Sequence, residues 1–183
     1  MTSHDPCTAA LREDLALALR AAAHHGLSEG VCNHFSVALP DGSERFLINP
    51  RGLLWSEIGP DDIVLVDADG QVLAGRHRVE PTAMFIHAAV HRIARHAMVL
   101  HCHMPHATAL TLTADRALDP TLSQNAMRFM GRLGIDANYN GLALDVAEGV
   151  AARVAAQVQV EREQSGLFFE ALRRLLPAPA GRA

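Results

Sequence analysis

The stretch Leu100-His101-Cys102-His103-Met104-Pro105-His106 stands about twenty residues after the acidic Glu80 of Arg78-Val79-Glu80-Pro81. Side chains on an extended strand alternate faces, so His101 and His103 project to one side and Cys102 to the other. Two neutral imidazoles on one side can share a zinc or iron ion, and a carboxylate from a neighbouring element can supply a third bond or a general base. The plainer reading is a pair of histidines on a half-solvated strand face, and spacing by itself leaves both open. Eleven histidines in 183 residues is a high density, which favours the ion.

Working outward, Pro81 suits a first helical position, and Phe85, Ala88, Ala89 and Ile93 give a helix to about Arg95 with one buried face. Met98 to His103 follows as a strand, and Pro105 opens another helix through Leu112. Glu80 therefore lies at a helix start and the two histidines on the next strand. His87 and His91 are four apart on that helix, a metal pair by geometry or a solvated face. Upstream, Leu11, Leu15, Ala18, Leu19 and Ala22 carry helical spacing from Leu11 to Ala23, and Gly26 stops it. From Val31 to Leu73 the period changes to short strands: Phe35 to Leu39, Phe46 to Ile48, Ile63 to Val66, and Gln71 to Leu73 after the turn Asp67-Ala68-Asp69-Gly70. Downstream come a strand candidate at Ile135 to Tyr139 and a helical pattern from Asp145 to Leu176, long for one helix of a small domain. With no repeat, low-complexity tract or linker, residues 1–183 read as one domain.

The formal net charge is −4 and no block of Lys or Arg occurs, which argues against a surface that binds nucleic acid by phosphate neutralisation. A small-molecule partner is expected instead. The apolar stretches are too short to span a bilayer, and charges scattered through Met1 to Ala23 differ from a signal peptide, so a cytoplasmic protein without membrane contact is expected. Cys7, Cys32 and Cys102 form no even framework and read as reduced thiols.

Taken in order, Gly30-Val31-Cys32-Asn33-His34-Phe35-Ser36, Asn49-Pro50-Arg51-Gly52, Asp61-Asp62-Ile63-Val64-Leu65-Val66-Asp67, Glu80-Pro81-Thr82 and His101-Cys102-His103-Met104-Pro105-His106-Ala107-Thr108-Ala109-Leu110 form a series. It resembles the class II aldolase/adducin family, in particular its adducin-like members, from about Leu11 to Glu148. The resemblance implies an α/β fold, a three-layer α/β/α sandwich with a mostly antiparallel central sheet, assembled as a homotetramer with the site near a subunit boundary. It also implies a divalent metal, commonly zinc with manganese or iron as alternatives, held by three histidines beside an acidic acid/base. By position His101 and His103 look like the first two ligands and Glu80 like the acidic residue. A Lewis-acid cation stabilises charge that develops when a carbon–carbon bond breaks, while a neighbouring carboxylate moves protons.

Asn33, Asn49 and Gly52 look like parts of the family's substrate-binding loops, although Asn33 alone also reads as a turn cap and Gly52 as a positive-φ position. Members that use sugar phosphates carry a Ser-Ser pair before the acidic residue, where this chain has Arg78-Val79. Arg78 suits a bidentate pair with a substrate carboxylate, or is a loop charge. A second departure is larger. The family's Asn-His-Gly strand, which completes the metal set, has no counterpart, and no histidine follows His106. A family segment is missing from the sequence as it stands, or the site is degenerate, or another group completes it; His106 is the nearest spare histidine and otherwise fills a frequent aromatic position. The reading is a metal-dependent aldolase-type lyase for a small hydroxy or keto substrate. Its alternatives are a non-catalytic adducin-like interaction module, and a decarboxylase or oxygenase on the same fold.

Overall fold

The computed structural model describes residues 5–113 and 119–134. Helix α1 (Pro6–His24) leads into strands β1 (His34–Ala38), β2 (Phe46–Ile48), β3 (Val64–Val66) and β4 (Val72–Ala74). Helix α2 (Pro81–Ala89) runs into a π turn (Val90–Ala94), then come β5 (Met98–His101) and α3 (Pro105–Thr111). The expected features at Ile135 to Tyr139 and Asp145 to Leu176 lie outside the described residues.

The five strands form one sheet in the order β4-β3-β2-β1-β5, with every neighbouring pair antiparallel. Alternation sorts the side chains onto two faces. Phe35, Val37, Leu47 and Leu65 point to a layer formed by Leu15, Ala16 and Leu19 of α1 together with Trp55 and Ile58. On the opposite face Phe46, Ile48, Val64 and Val66 meet Ala83, Met84 and Ala88 of α2. A helix on each side of an antiparallel sheet is the α/β/α sandwich. Two arginines of α1 tie it to the loops, Arg12 donating to the Ile63 carbonyl and Arg20 to that of Ile58 at 3.0 Å.

Several boundaries differ from the expectations, each for a physical reason. The first helix begins at Pro6, because proline at N1 has no amide to leave unpaired. The helix expected to reach Arg95 is α-helical only to Ala89; the π turn and the left-handed Arg95 (φ 55°) close it. The strand expected to reach His103 stops at His101, where Asn33 captures the next amide that a ladder would use. The hairpin at Asp67 forms as its sequence predicts, with Asp67 Oδ1 accepting from the Asp69 and Gln71 amides at 3.0 and 2.8 Å.

Candidate active site

Strand register builds the site. His34 of β1 faces His101 of β5 across the ladder, so both imidazoles stand on the α2 side of the sheet. Their rings stack with centroids 5.9 Å apart. His103, two residues on, returns to the same side, and its Nε2 lies 3.0 Å from Nε2 of His101. Between them, Cys102 turns the other way and packs against the α1 layer, where burial pushes its thiol pKa up.

Burial favours the neutral form of His101 and His34, the form that can bind a cation. Burial, with His103 beside it, lowers the His101 pKa. His34 is lowered to about 4 by burial and by His101, with Glu80 partly opposing and His103 adding to the fall. Glu80 is the N-cap of α2, and its Oε2 accepts from the Ala83 amide at 2.9 Å. Its carboxylate is thus held on a helix start and is near enough to act on His34.

The loop residues divide into two kinds. Asn33 and Asn49 are fully buried and bonded internally. Asn33 Oδ1 accepts from the His103 amide and its Nδ2 donates to the Glu29 carbonyl, both at 2.7 Å. Its own carbonyl accepts from Asn49 Nδ2 at 3.1 Å and Trp55 Nε1 at 3.2 Å. Asn49 Oδ1 accepts from the Phe35 amide at 2.8 Å. Arg51 and Gly52, by contrast, lie exposed on a turn, Gly52 at φ +84°. The Arg51 amide donates to the Arg78 carbonyl at 2.9 Å, which brings the Gly52 turn beside the segment that leads into Glu80.

Two imidazole nitrogens suit a borderline cation, and their 3.0 Å spacing is near the ~3.3 Å that two zinc–nitrogen bonds at a tetrahedral angle require. Among the described residues no three His, Cys, Asp or Glu side chains are arranged as a metal cage. The pair is therefore a partial donor set. His106, at the start of α3, is exposed.

Sequence reasoning passed over the polar group next to this pair. Ser36, two residues after His34, is fully buried with its Oγ 2.6 Å from His87 Nδ1 and 2.7 Å from His91 Nε2. The spacing of His87 and His91 signalled a shared helix face, and the face turns inward onto the sheet. Burial, with the neighbouring His34, His91 and His101, holds His87 well below the ordinary histidine pKa.

A sequence model of the "Class II Aldolase and Adducin N-terminal domain" matches residues 13–168. The chain belongs to the class II aldolase and adducin family. Among curated proteins it is similar to one of Pseudomonas aeruginosa assigned to aldolase class 2, 37% identical over 75% of this chain and 52% of that protein. It is also similar to the decarboxylase NovR of Streptomyces niveus, 31% identical over 79% of this chain and 53% of the relative. The chain spans about half the length of the curated relatives it matches. Among solved structures, an aldolase II superfamily protein from Pseudomonas syringae superposes with a TM-score of 0.72 and 32% identity, covering 84% of this chain and 62% of that one. The class II aldolase fold is thus shared with these relatives. Class II aldolases are in general metal-dependent, and no described helix is long and apolar enough to cross a membrane.

Proposed function

We propose that this family member is a metal-dependent lyase of aldolase type, acting on a small hydroxy or keto substrate that bears a carboxylate. The observation that carries the reading is the His101–His103 pair, two half-buried imidazoles with Nε2 atoms 3.0 Å apart, beside His34, on which Glu80 acts. His101 and His103 would hold a divalent cation, zinc first and manganese or iron as alternatives, and Glu80 would be the acid/base. Bound there, the cation would supply Lewis-acid stabilisation of developing negative charge.

The chain's own groups have separate tasks. Glu80 holds or releases a proton at its carboxylate while α2 fixes its position. Asn33 sets His103 through the main chain, and Asn49 holds Asn33 and the start of β1 in register. The exposed Gly52 turn offers backbone donors to an anionic substrate end, and Arg78 beside it a guanidinium for a carboxylate. The chain works as one domain in the cytoplasm and assembles as a homotetramer; the exposed apolar side chains of Leu122, Phe129 and Met130 suit a contact between subunits.

A second reading is decarboxylation or oxygen chemistry at the same ion, and the likeness to the Streptomyces decarboxylase favours the former of these. Metal analysis of protein purified without added metal, followed by turnover of a panel of hydroxy and keto acids, separates the two. Near-stoichiometric metal and carbon–carbon cleavage, both lost in His101→Ala/His103→Ala, are expected. Carbon dioxide release or oxygen uptake would select the second reading. Absent metal with no gain on adding zinc, manganese or iron would overturn both and leave an adducin-like interaction module.

A further inference from the structure

The histidines and serine buried under α2 carry a defined pattern of protons. His91 Nδ1 lies 2.7 Å from the His96 carbonyl, which can only accept, so Nδ1 carries the hydrogen. In the neutral ring Nε2 is then an acceptor and takes the Ser36 hydroxyl hydrogen. Having given up its one hydrogen, Ser36 Oγ accepts from His87 Nδ1. His87 is thereby fixed as the Nδ1–H tautomer, and its Nε2 presents a bare lone pair. That atom is buried without a partner among the described residues, and so is Nε2 of His34. The two rings meet edge-on with centroids 6.2 Å apart, and the other side of His34 stacks on His101.

We propose that this buried chain, from the His96 carbonyl through His91, Ser36 and His87 to His34, is the orienting scaffold of His101. The inference rests on the metal reading of His101 and His103 and assigns its supporting layer. An acceptor at His87 Nε2 is complementary to an N–H at His34 Nε2, directly or through one water. His34 is then held in one tautomer and one plane, and its stacked face limits rotation of the His101 ring. A ligating imidazole needs its plane set before the ion arrives, and outer partners of this kind commonly do so. Packing alone does not account for the arrangement. Valine at position 36 would fill the sheet face without burying a hydroxyl between two imidazoles, a polar burial that is costly unless bonded. The π turn that brings His91 over Ser36 adds to the case, since such turns recur at functional sites. Ser36, His87, His91 and His34 are positioning residues rather than ligands.

The test uses the full chain and cobalt(II) alone as probe. Its dissociation constant is read by competition with a chromophoric chelator and its geometry by the visible spectrum. Ser36→Ala and His91→Leu are expected to weaken cobalt binding roughly 10-fold or more and to change the spectrum. His91→Gln, which keeps an acceptor where Nε2 stood, is expected to stay near wild type. Two-bond proton–nitrogen correlation spectra of metal-free protein should show hydrogen on Nδ1 of His87 in wild type and its redistribution in Ser36→Ala, while the changed cobalt spectrum is the readout that a purely structural role would leave unmoved. A variant that does not fold is replaced by the tautomer measurement on wild type, where hydrogen on Nε2 of His87 overturns the proposal. Unchanged cobalt affinity and spectrum in folded Ser36→Ala and His91→Leu overturn it while leaving the metal reading intact. Wild-type protein that binds no cobalt, zinc or iron removes the metal reading and this inference together.

Discussion

Replacing Asn33 by aspartate changes one atom's chemistry and little of its shape. The Oδ1 that accepts from the His103 amide survives, but the Nδ2 that donates to the Glu29 carbonyl becomes an oxygen facing an oxygen. At a fully buried position the new carboxylate is expected to titrate at least ~2 units above its unfolded value of about 3.9, since burial and the facing carbonyl both oppose charge. The folded pKa is raised, so Asn33→Asp is least destabilised below about 3.9 and loses stability as pH rises through about 6. Linkage then gives a cost of about 2.7 kcal/mol near pH 7 that shrinks to about 1.5 kcal/mol near pH 5, relative to wild type at each pH. Protonation restores a donor for Glu29, which is why acid relieves the defect. Urea unfolding at both pH values, followed by circular dichroism, measures the difference. A penalty that is equal at the two pH values, or smaller near pH 7, would refute the assignment of Asn33 Nδ2 as a buried donor.

Three further outcomes follow from other parts of the molecule. Asp62 is buried, which pushes its pKa up, but hydrogen bonds from Arg76, the Gly59 amide and His77 outweigh this and hold it at about 2 rather than 3.8. Its stabilisation is therefore complete above 3.8 and is lost as pH falls through about 2. Asp62→Asn should cost about 1–2 kcal/mol in neutral urea melts after allowance for the exposed Arg76 partner, and the gap should close in acid. Gly75 sits at φ +124°, with an added Cβ 3.2 Å from the Val64 Cα, whereas Gly42 at φ +75° faces open space. Gly75→Ala should lower stability by about 2–3 kcal/mol and Gly42→Ala by about 1 kcal/mol in thermal melts; the reverse order would refute the packing. Cys7 and Cys32 are exposed while Cys102 is half-buried with a raised pKa, so a thiol reagent should label two sites quickly and one slowly.

Much of the architecture was legible because it is written in local period. The alternation from His34 to Ala38, the turn at Asp67 and the Glu80-Pro81 helix start all need only neighbours a few residues away. The same alternation put His101 and His103 on one side and Cys102 on the other. What could not be read locally were the contacts that join distant segments. Ser36 meets His87 and His91 across 51 and 55 residues, and Asn33 meets the His103 amide across 70. Those contacts account for the misplaced boundaries, since Asn33 ends β5 and His91 is bonded within the π turn. They also explain why the buried bonds of the loop residue Asn33, to the His103 amide and the Glu29 carbonyl, are not legible from its local sequence.

The pairing of His34 with His101 makes the site a matter of parity. Because side chains on β5 alternate, a one-residue slip would send His101 to the α1 layer and bring Leu100 or Cys102 under α2 in its place. Inserting one residue within Met98–His101 would therefore erase the histidine cluster while leaving the strand's composition and most of its ladder intact. A two-residue insertion would preserve facing and merely shift position along β1. The number of residues within the paired part of β5 is thus constrained modulo two, while the segments that connect it to β1 are free to vary in length.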